Sequence, residues 1–185
     1  MKQVQQLQAQ KLGGNKNQSN PMREILLDRV ILNITVGTDE AKLLKAMKLL
    51  ELLSGEKPVK CLARKRIATW KIRPGLPIGC KVTLRGEKAL AMLKRTLESV
   101  DNKLNSKQFK NGAFTFGIKE YIQISDFQYQ RDIGIIGFDV ACVFKRRGFR
   151  VKEKKIKRGN IPNRHKISET EIINYVQKNL NVKFD

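Results

Sequence analysis

Apolar and polar residues alternate with a period of two along several short segments of the chain. In the clearest case Ile78, Cys80, Val82 and Leu84 are apolar, and the residues between them are polar, cationic or glycine. This alternation is typical of a strand with one buried face. The strands predicted in this way cover residues 29–36, 59–62, 67–72 and 78–84 and, after a hairpin-type Asn111-Gly112 turn, 114–124 and 134–144.

Three other segments repeat apolar residues three and four positions apart, which predicts amphipathic helices. The first follows Gly37, with Thr38 as its predicted cap and Gly55 just after its end. Its apolar stripe comprises Leu43, Leu44, Met47, Leu50 and Leu53. The second helix is predicted over residues 87–104, and the third covers 168–180 after the capping box Ser168-Glu-Thr-Glu171.

These patterns predict an α+β fold, in which helices pack on one face of a mostly antiparallel sheet. The opposite face is then left open. Its predicted side chains are polar or cationic: Asn33, Thr35, Lys81, Thr83 and Arg85. Such groups suit contacts with phosphates, ribose hydroxyls and exposed bases, so we expect an open polar and basic face that binds RNA.

The domain organisation follows from composition. Residues 1–20 are rich in Gln, Asn, Gly and Lys, which predicts a disordered N-terminal arm. Residues 21–185 are expected to form a single RNA-binding domain, which includes a basic C-terminal arm at 145–166 and the terminal helix.

The charge of the chain indicates a polyanionic partner. Its formal net charge is +21, and residues 57–86 contain nine Lys and Arg but no Asp or Glu. Cations fixed to strands and short loops favour structured RNA over an arbitrary polyanion. A membrane surface is disfavoured because no apolar run is long enough to span a bilayer, and the N-terminus lacks a signal-peptide pattern, so we expect a soluble intracellular protein.

A second cationic run follows the last predicted strand, and it is opposed only by Glu153. It contains Lys145, Arg146, Arg147, Arg150, Lys152, Lys154, Lys155, Lys157, Arg158, Arg164 and Lys166. We interpret it as an extended arm that orders on RNA, with a disordered localisation-type tract as the alternative. His165 is expected to make a hydrogen bond or a phosphate contact. Trp70 is expected to be buried, with stacking on a base as the alternative.

The sequence offers little for catalysis. No nucleophile has a neighbouring base, no pair of carboxylates is placed for acid–base work, and Gly134-Ile-Ile-Gly137 lacks the basic residues of a KH loop. Cys61, Cys80 and Cys142 lack metal-ligand spacing and are expected to be reduced, semi-buried residues. We expect no enzyme, metal or cofactor. A general RNA chaperone and an RNA-modifying enzyme remain as alternatives.

Several motifs occur in an order that resembles one family. They are Asn20-Pro-Met-Arg-Glu24, Val30-Ile-Leu-Asn-Ile-Thr-Val-Gly37, Lys71-Ile-Arg-Pro-Gly75, Pro77-Ile-Gly-Cys-Lys-Val-Thr-Leu-Arg-Gly86, Phe114-Thr-Phe-Gly-Ile-Lys-Glu120 and Ile133-Gly-Ile-Ile-Gly-Phe-Asp139. The chain from about Asn20 onward resembles the universal L-five family of large-subunit ribosomal proteins, called L-eleven in eukaryotes. The ending Ile161-Pro-Asn-Arg-His-Lys166 resembles the archaeal and eukaryotic branch, and the strand before Gly86 favours the archaeal form.

The resemblance implies a structural protein of the central protuberance that supports translation. Its implied partners are 5S ribosomal RNA, large-subunit ribosomal RNA, the P-site tRNA, and neighbouring proteins of the protuberance and of the small-subunit head. Cytoplasmic ribosomes are the expected location, with nucleolar assembly if the source is eukaryotic. Neither a membrane nor a homo-oligomer is expected.

The family motif implies that Asn33, Thr83 and Arg85 contact 5S ribosomal RNA and that a loop faces tRNA. The expected tRNA-facing residues are Lys71, Arg73, Pro74, Gly75 and Leu76. Together with the residues chosen for their charge or face, the expected ribosomal RNA contacts are Asn33, Thr35, Lys60, Arg64, Lys65, Lys81, Thr83, Arg85, Arg146, Arg147, Arg150, Lys154, Lys155, Lys157, Arg158, Arg164, His165 and Lys166.

Overall fold

Strands and helices are interspersed along the chain in the structure, a computed structural model that describes residues 20–125 and 127–184. The strands are β1 Ile25–Thr35, β2 Val59–Leu62, β3 Pro77–Leu84, β4 Lys103–Leu104, β5 Phe109–Lys110, β6 Ala113–Ile118, β7 Phe138–Arg146 and β8 Lys183–Phe184. The α-helices are α1 Glu40–Ser54, α2 Gly86–Glu98, α3 Arg150–Glu153 and α4 Glu169–Leu180. Short 3-10 turns occupy Pro21–Arg23, Ala68–Trp70, Ser106–Gln108, Tyr121–Gln123 and Asn163–His165.

Six strands form the main sheet, in the order β2-β3-β1-β7-β6-β5. Every neighbouring pair in this sheet is antiparallel. The short strands β4 and β8 make a separate parallel pair. The predicted α+β class with a mostly antiparallel sheet is therefore confirmed.

One face of the sheet carries the hydrophobic core. Val30 and Leu32 of β1, Val82 of β3 and Val140 of β7 are almost fully buried on this face, and Leu50 of α1 belongs to the same core. Residues of α2 and α4 also join it. Because side chains alternate along a strand, the residues between these buried ones point to the opposite, uncovered face.

A β-bulge interrupts β1 and changes which residues face the core. The pairing with β7 places Leu27 opposite Phe144 and Arg29 opposite Val143, so Asp28 is the extra residue. Leu27 packs against the core before the bulge, and Val30 is buried after it. The bulge therefore lets both ends of the strand bury apolar side chains, and it leaves Asp28 unpaired with β7 between them.

The three predicted helices are present as α1, α2 and α4, with three corrections. Asp39, and not Thr38, caps α1, since its carboxylate accepts a hydrogen bond from the Lys42 amide at 3.2 Å. Leu44 is exposed, and Ala46 and Leu49 are buried instead, because the helix turns a slightly different face to the sheet. Helix α2 ends at Glu98, and Leu104 belongs to β4.

Three strand predictions also need correction. Residues 67–72 form a tight loop closed by a single Ile67–Ile72 bridge, and not a strand. Strand β6 ends at Ile118, and β7 begins only at Phe138. Between them Gly137 lies so close to other backbone that a Cβ atom would sit 2.5 Å from the Lys119 carbonyl oxygen, which supports a structural role for this glycine.

Two further predictions concern the ends and the cysteines. The predicted disordered arm at 1–20 lies outside the described residues, except for Asn20, whose side chain caps the first 3-10 turn.

All three cysteines are free: Cys80 and Cys142 are buried and Cys61 is half-buried. In the described part of the chain, no helix combines the length and apolar character needed to cross a membrane.

Candidate nucleic-acid interface

The open face of the sheet carries the polar residues that the sequence predicts. Lys81 of β3 pairs with Asn33 of β1, and Asn33 pairs on its other side with Asp139 of β7. In the next row, Thr83 pairs with Ile31. Lys81, Thr83 and Thr35 are exposed, and the Asn33 amide lies 3.3 Å from the Thr35 hydroxyl, to which it donates a hydrogen bond.

Sequence reasoning missed part of this face. The row of Thr83 and Ile31 continues through Ala141 to Thr115 of β6, which is exposed. Asp139 adds a carboxylate, so the face is not uniformly cationic. The alternation of Phe114 and Phe116, or of Phe138 and Val140, was a signal for Thr115 and Asp139, because the residue between two buried ones faces outward.

A cluster of opposite charges lies around Asp28 at one end of the central strands, where β3 and β7 end. The Asp28 side chain is only 3% exposed, and its carboxylate accepts from Arg29 Nε at 2.7 Å. The ammonium of Lys145 lies 2.6 Å away, and Arg85 Nη1 lies 3.5 Å away. Burial alone raises the pKa of Asp28, but the hydrogen bond from Lys145 and the charges of Arg29 and Lys145 outweigh it and hold the pKa below its usual range. Asp28 is therefore an ionised acid within the basic surface.

The loop that was expected to face tRNA is short and well defined. At its base the Ala63 amide donates to the Leu76 carbonyl at 2.8 Å, and at its tip Ile67 and Ile72 exchange two backbone hydrogen bonds of 3.0 Å. Lys71 adopts a left-handed conformation that reverses the chain there. The cations of the loop, Arg64, Lys65, Arg66, Lys71 and Arg73, are all exposed, as are Pro74 and Gly75, and Leu76 is half-buried.

Trp70 lies at the tip of this loop, and the prediction that it is buried is wrong. Its side chain is 67% exposed. The 3-10 turn Ala68–Trp70 and the bridge beneath it turn the side chain away from the core. An exposed indole between cations is an arrangement that suits stacking on a base.

The basic segment 145–166 is folded, in contrast to the extended arm that was predicted. It contains the end of β7, helix α3 and a 3-10 turn. The Gly159 amide donates to the Val151 carbonyl at 3.1 Å, and His165 Nε2 lies 2.9 Å from the Arg147 carbonyl oxygen. Arg147 also pairs with Glu24 at 2.8 Å. These contacts hold the segment against the body of the protein.

Most of the cations predicted in this segment remain available, but Arg146 does not. The exposed ones are Arg147, Arg150, Lys152, Lys154, Lys155, Lys157, Arg158, Arg164 and Lys166, and Lys60 of β2 is exposed as well. Arg146 is only 3% exposed, and its Nη2 donates to both carboxylate oxygens of Glu171 at 2.6 and 2.7 Å. We therefore leave Arg146 out of the candidate interface.

Groups for metal or thiol chemistry are not assembled. In residues 20–125 and 127–184, no three His, Cys, Asp or Glu side chains come together in a way that would hold a metal ion. Burial, with a smaller contribution from the neighbouring Cys61, raises the pKa of the Cys80 thiol to about 11, and burial raises the pKa of Cys142 as well. These buried thiols stay protonated at neutral pH and act as small apolar residues.

Two family models match the chain in succession. A model described as "Ribosomal protein L5" matches residues 20–73, and a model of the C-terminus of the same ribosomal family matches residues 77–173. Together they include the strands of the open sheet face and the part of the loop that carries Trp70.

Curated relatives agree with the family models. The large ribosomal subunit protein uL5 of Nanoarchaeum equitans is 46% identical over 165 residues, which cover 89% of this chain and 98% of the relative. The protein of the same name from Picrophilus torridus is 45% identical over 166 residues, 89% of this chain and 94% of the relative. The protein of the same name from Archaeoglobus fulgidus is 41% identical over 174 residues, which cover 94% of this chain and 96% of the relative.

Proposed function

Because this chain belongs to the L5 family of large-subunit ribosomal proteins, we propose that its open sheet face binds 5S ribosomal RNA and that the cations around this face contact large-subunit ribosomal RNA. As a member of the family it is a structural, non-enzymatic component of the large ribosomal subunit. Its work is therefore to neutralise phosphates and to fix the position of one RNA relative to another.

The observation that carries this proposal is the uncovered sheet face itself. Lys81, Asn33 and Thr83 lie in neighbouring rows of the open face, and the helices lie on the other side. Hydroxyls and amides on a rigid sheet suit hydrogen bonds to ribose and to base edges, and the cations at the margin suit phosphates. A folded surface of this kind favours one shape of RNA, whereas a general RNA chaperone needs no fixed geometry.

A competition experiment tests this preference. The full-length protein is bound to a labelled 5S ribosomal RNA transcript, and unlabelled tRNA or random RNA of similar length is added as competitor. We expect the 5S transcript to be bound much more tightly than either competitor. Equal affinities would favour the general RNA chaperone and overturn the proposal.

A pair of variants tests whether the sheet face is the binding surface. Arg85→Gln removes a cation from the edge of the open face, and Lys48→Gln removes an exposed one from α1, on the helical side. Glutamine is used at position 85 because a new carboxylate would lie beside Asp28. We expect roughly a tenfold loss of 5S affinity for Arg85→Gln, since hydrogen bonds to charged groups contribute about 1.5–3 kcal/mol, and little change for Lys48→Gln. Equal losses would count against the face.

Salt dependence measures how many phosphates the protein contacts. Each contact contributes about 0.7–0.9 to the slope of log affinity against log salt. The many exposed cations at the margins of the face favour a steep slope, equivalent to about six to ten phosphates.

The loop at residues 63–76 supports a second contact, with the P-site tRNA. Trp70 presents its indole to solvent, and the exposed cations Lys71 and Arg73 follow it in the same loop. A large exposed aromatic ring does not stabilise the core, but it can stack on an unpaired base, as occurs in proteins that bind loops and single strands. We place the tRNA-facing residues Lys71, Arg73, Pro74, Gly75 and Leu76 around this ring.

Trp70 is the only tryptophan of the chain, so its fluorescence reports on this contact directly. We expect tRNA to quench the emission of the wild type and a fully paired RNA duplex of equal length to quench it much less. Trp70→Ala should weaken tRNA binding by roughly tenfold, since a stacked base is worth about 1–3 kcal/mol, and Trp70→Phe should retain most of the affinity. Equal quenching by tRNA and by the duplex would contradict stacking.

The remaining finer details are proposed on the resemblance of the chain to its family. We place the protein in the central protuberance of cytoplasmic ribosomes, in contact with neighbouring proteins there and with the head of the small subunit. Sedimentation of a cell lysate tests the location: the protein should travel with large subunits, and its absence from them would contradict the placement.

A further inference from the structure

The cluster around Asp28 contains more positive charge than its carboxylates neutralise. A surface groove of about 570 Å³ is lined there by five cations, Arg29, Arg85, Lys145, Lys152 and Arg158, and by two carboxylates, Asp28 and Glu153. The lining therefore has a formal excess of three positive charges, and it opens to solvent beside the RNA-facing side of the sheet.

At the centre of this groove the acid Asp28 is buried and its three cationic partners are partly exposed, while the second acid, Glu153, is 50% exposed. Asp28 is 3% exposed, whereas the side chains of Arg29, Lys145 and Arg85 are 32%, 33% and 58% exposed. Each of these three cations uses one or a few of its donors on Asp28. Arg29 Nη2 also lies 3.7 Å from Glu153 Oε1, in a looser ion pair. A guanidinium has five N–H donors and an ammonium three, so donors of Arg85 and Lys145 that do not reach Asp28 can face an incoming anion.

The β-bulge explains how an acid comes to lie beneath these cations. Asp28 is the unpaired residue between Leu27 and Arg29, and it draws its partners from three strand segments: Arg29 from β1, Lys145 from β7, and Arg85 from the residue after β3. A regular strand would send a residue at this position towards the apolar core. The bulge instead turns the carboxylate towards the cations of the open face.

We propose that Asp28 is a positioning residue that holds Arg29, Arg85 and Lys145 as a preformed site for one backbone phosphate of the bound RNA. Like charges packed this closely repel one another, and without an acid between them they would spread into solvent. Asp28 removes that repulsion and fixes the direction of the cations, while Lys152 and Arg158 supply the excess charge at the rim. The inference rests on the proposed function and adds to it the group that orients Arg85.

A positioning role for Asp28 predicts a different effect on RNA affinity from the one that net charge alone predicts. Asp28→Asn makes the protein more positive by one unit, so simple electrostatics predicts tighter binding to every RNA. If Asp28 acts by positioning, the variant should bind 5S ribosomal RNA roughly tenfold more weakly and bind tRNA used as a competitor equally or more tightly. The ratio of the two affinities, and not either affinity alone, is the quantity to measure.

Two further variants provide the controls. Lys152→Gln removes a cation at the rim of the groove and should weaken the binding of both RNAs alike. The slope of log affinity against log salt should fall by about 0.7–0.9. Asp28→Glu keeps the charge and should retain part of the discrimination. Thermal unfolding of each variant establishes that it is folded at the binding temperature. A uniform increase in affinity for Asp28→Asn, or no change, would overturn the positioning role.

Inorganic phosphate tests the site without reference to any particular RNA. In NMR spectra of the arginine side chains, we expect phosphate to shift the signals of Arg29 and Arg85 more than that of Arg64, which lies in the exposed loop. The difference should disappear in Asp28→Asn. Equal shifts at all three arginines in the wild type would refute the preformed site, whereas a wild type that shifts selectively but does not prefer 5S ribosomal RNA would refute the proposed function alone.

Discussion

Lys145 and Arg146 are neighbours on β7, but they point to opposite sides of the sheet and belong to charge clusters of opposite design. Lys145 lies on the open side and pairs with Asp28, which is buried, while the cations around it are partly exposed. Arg146 lies on the core side and is itself buried, while its partner Glu171 at the start of α4 is 42% exposed. The first cluster exposes positive charge to solvent, and the second buries positive charge inside the protein.

The difference shows that a cation in a basic protein serves either the ligand or the fold, according to which partner is buried. A buried acid with exposed cations leaves N–H donors free for a phosphate. A buried arginine held by both oxygens of a carboxylate has its charge neutralised within the protein and instead ties α4 to β7. The count of 38 Lys and Arg residues therefore overstates the charge available to RNA.

The largest effect is expected at the second cluster. Glu171→Gln should lower the free energy of unfolding by about 3 kcal/mol, because it leaves the buried Arg146 without its counter-charge. For a chain of this size that corresponds to a fall in Tm of roughly 6–12 °C. Glutamine still satisfies the capping-box pattern with Ser168, so the change isolates the ion pair. Thermal and chemical unfolding measure the effect.

Matched variants separate this pair from general surface charge. Glu169→Gln alters an exposed acid in the same helical turn and should change the stability much less. Combining Glu171→Gln with Arg146→Met removes the buried charge as well and should restore part of the stability. In folded Glu171→Gln protein, the preference for 5S ribosomal RNA over tRNA should be unchanged. A loss of that preference would show that the Arg146–Glu171 pair also serves RNA binding, and it would contradict the division of roles between the two clusters.

The sequence predicted the regular parts of this molecule well. Residues 78–84 have an unbroken alternation, and from Cys80 to Leu84 strand β3 has the predicted buried and exposed faces. Gly79 is the exception, because it is buried against the backbone of β1. The capping box at Ser168 predicted the start of α4 because its hydrogen bonds are local. The side of the sheet on which Asn33, Thr83 and Lys81 lie also followed from the period of two alone, since that period is a property of the strand and not of its neighbours.

Other features depend on contacts that are distant in sequence. The start of β1 was missed because the bulge at Asp28 shifts the alternation by one residue. The burial of Arg146 was hidden in a uniformly cationic run, although extending the alternation from Phe144 by two residues would have placed it on the core face. The exposure of Trp70 had no signal in the sequence, because the turn and the Ile67–Ile72 bridge determine it together.

A smaller effect, in acid, compares the two carboxylates directly. In the unfolded chain Asp28 and Glu171 titrate near their ordinary pKa values of 3.8 and 4.5, and in the folded protein both pKa values are lowered. For Glu171, burial opposes the shift, and the hydrogen bonds from Ser168 and the charge of Arg146 outweigh it. Above the ordinary values both groups are ionised in either state, and their stabilisation is complete. As the pH falls through those values towards the folded ones, the unfolded chain binds protons first and the stabilisation is lost.

We therefore expect the stability difference between the wild type and Glu171→Gln to be constant from pH 7 to about pH 6 and to narrow as the pH falls towards about 3. The difference between the wild type and Asp28→Asn should begin to narrow at a lower pH, since the ordinary pKa of Asp28 is lower. Urea unfolding at a series of pH values, with Glu169→Gln as the control, measures both differences. A gap for Glu171→Gln that stays constant down to pH 3 would show that its ionised form does not stabilise the fold, and that Arg146 is held by packing alone.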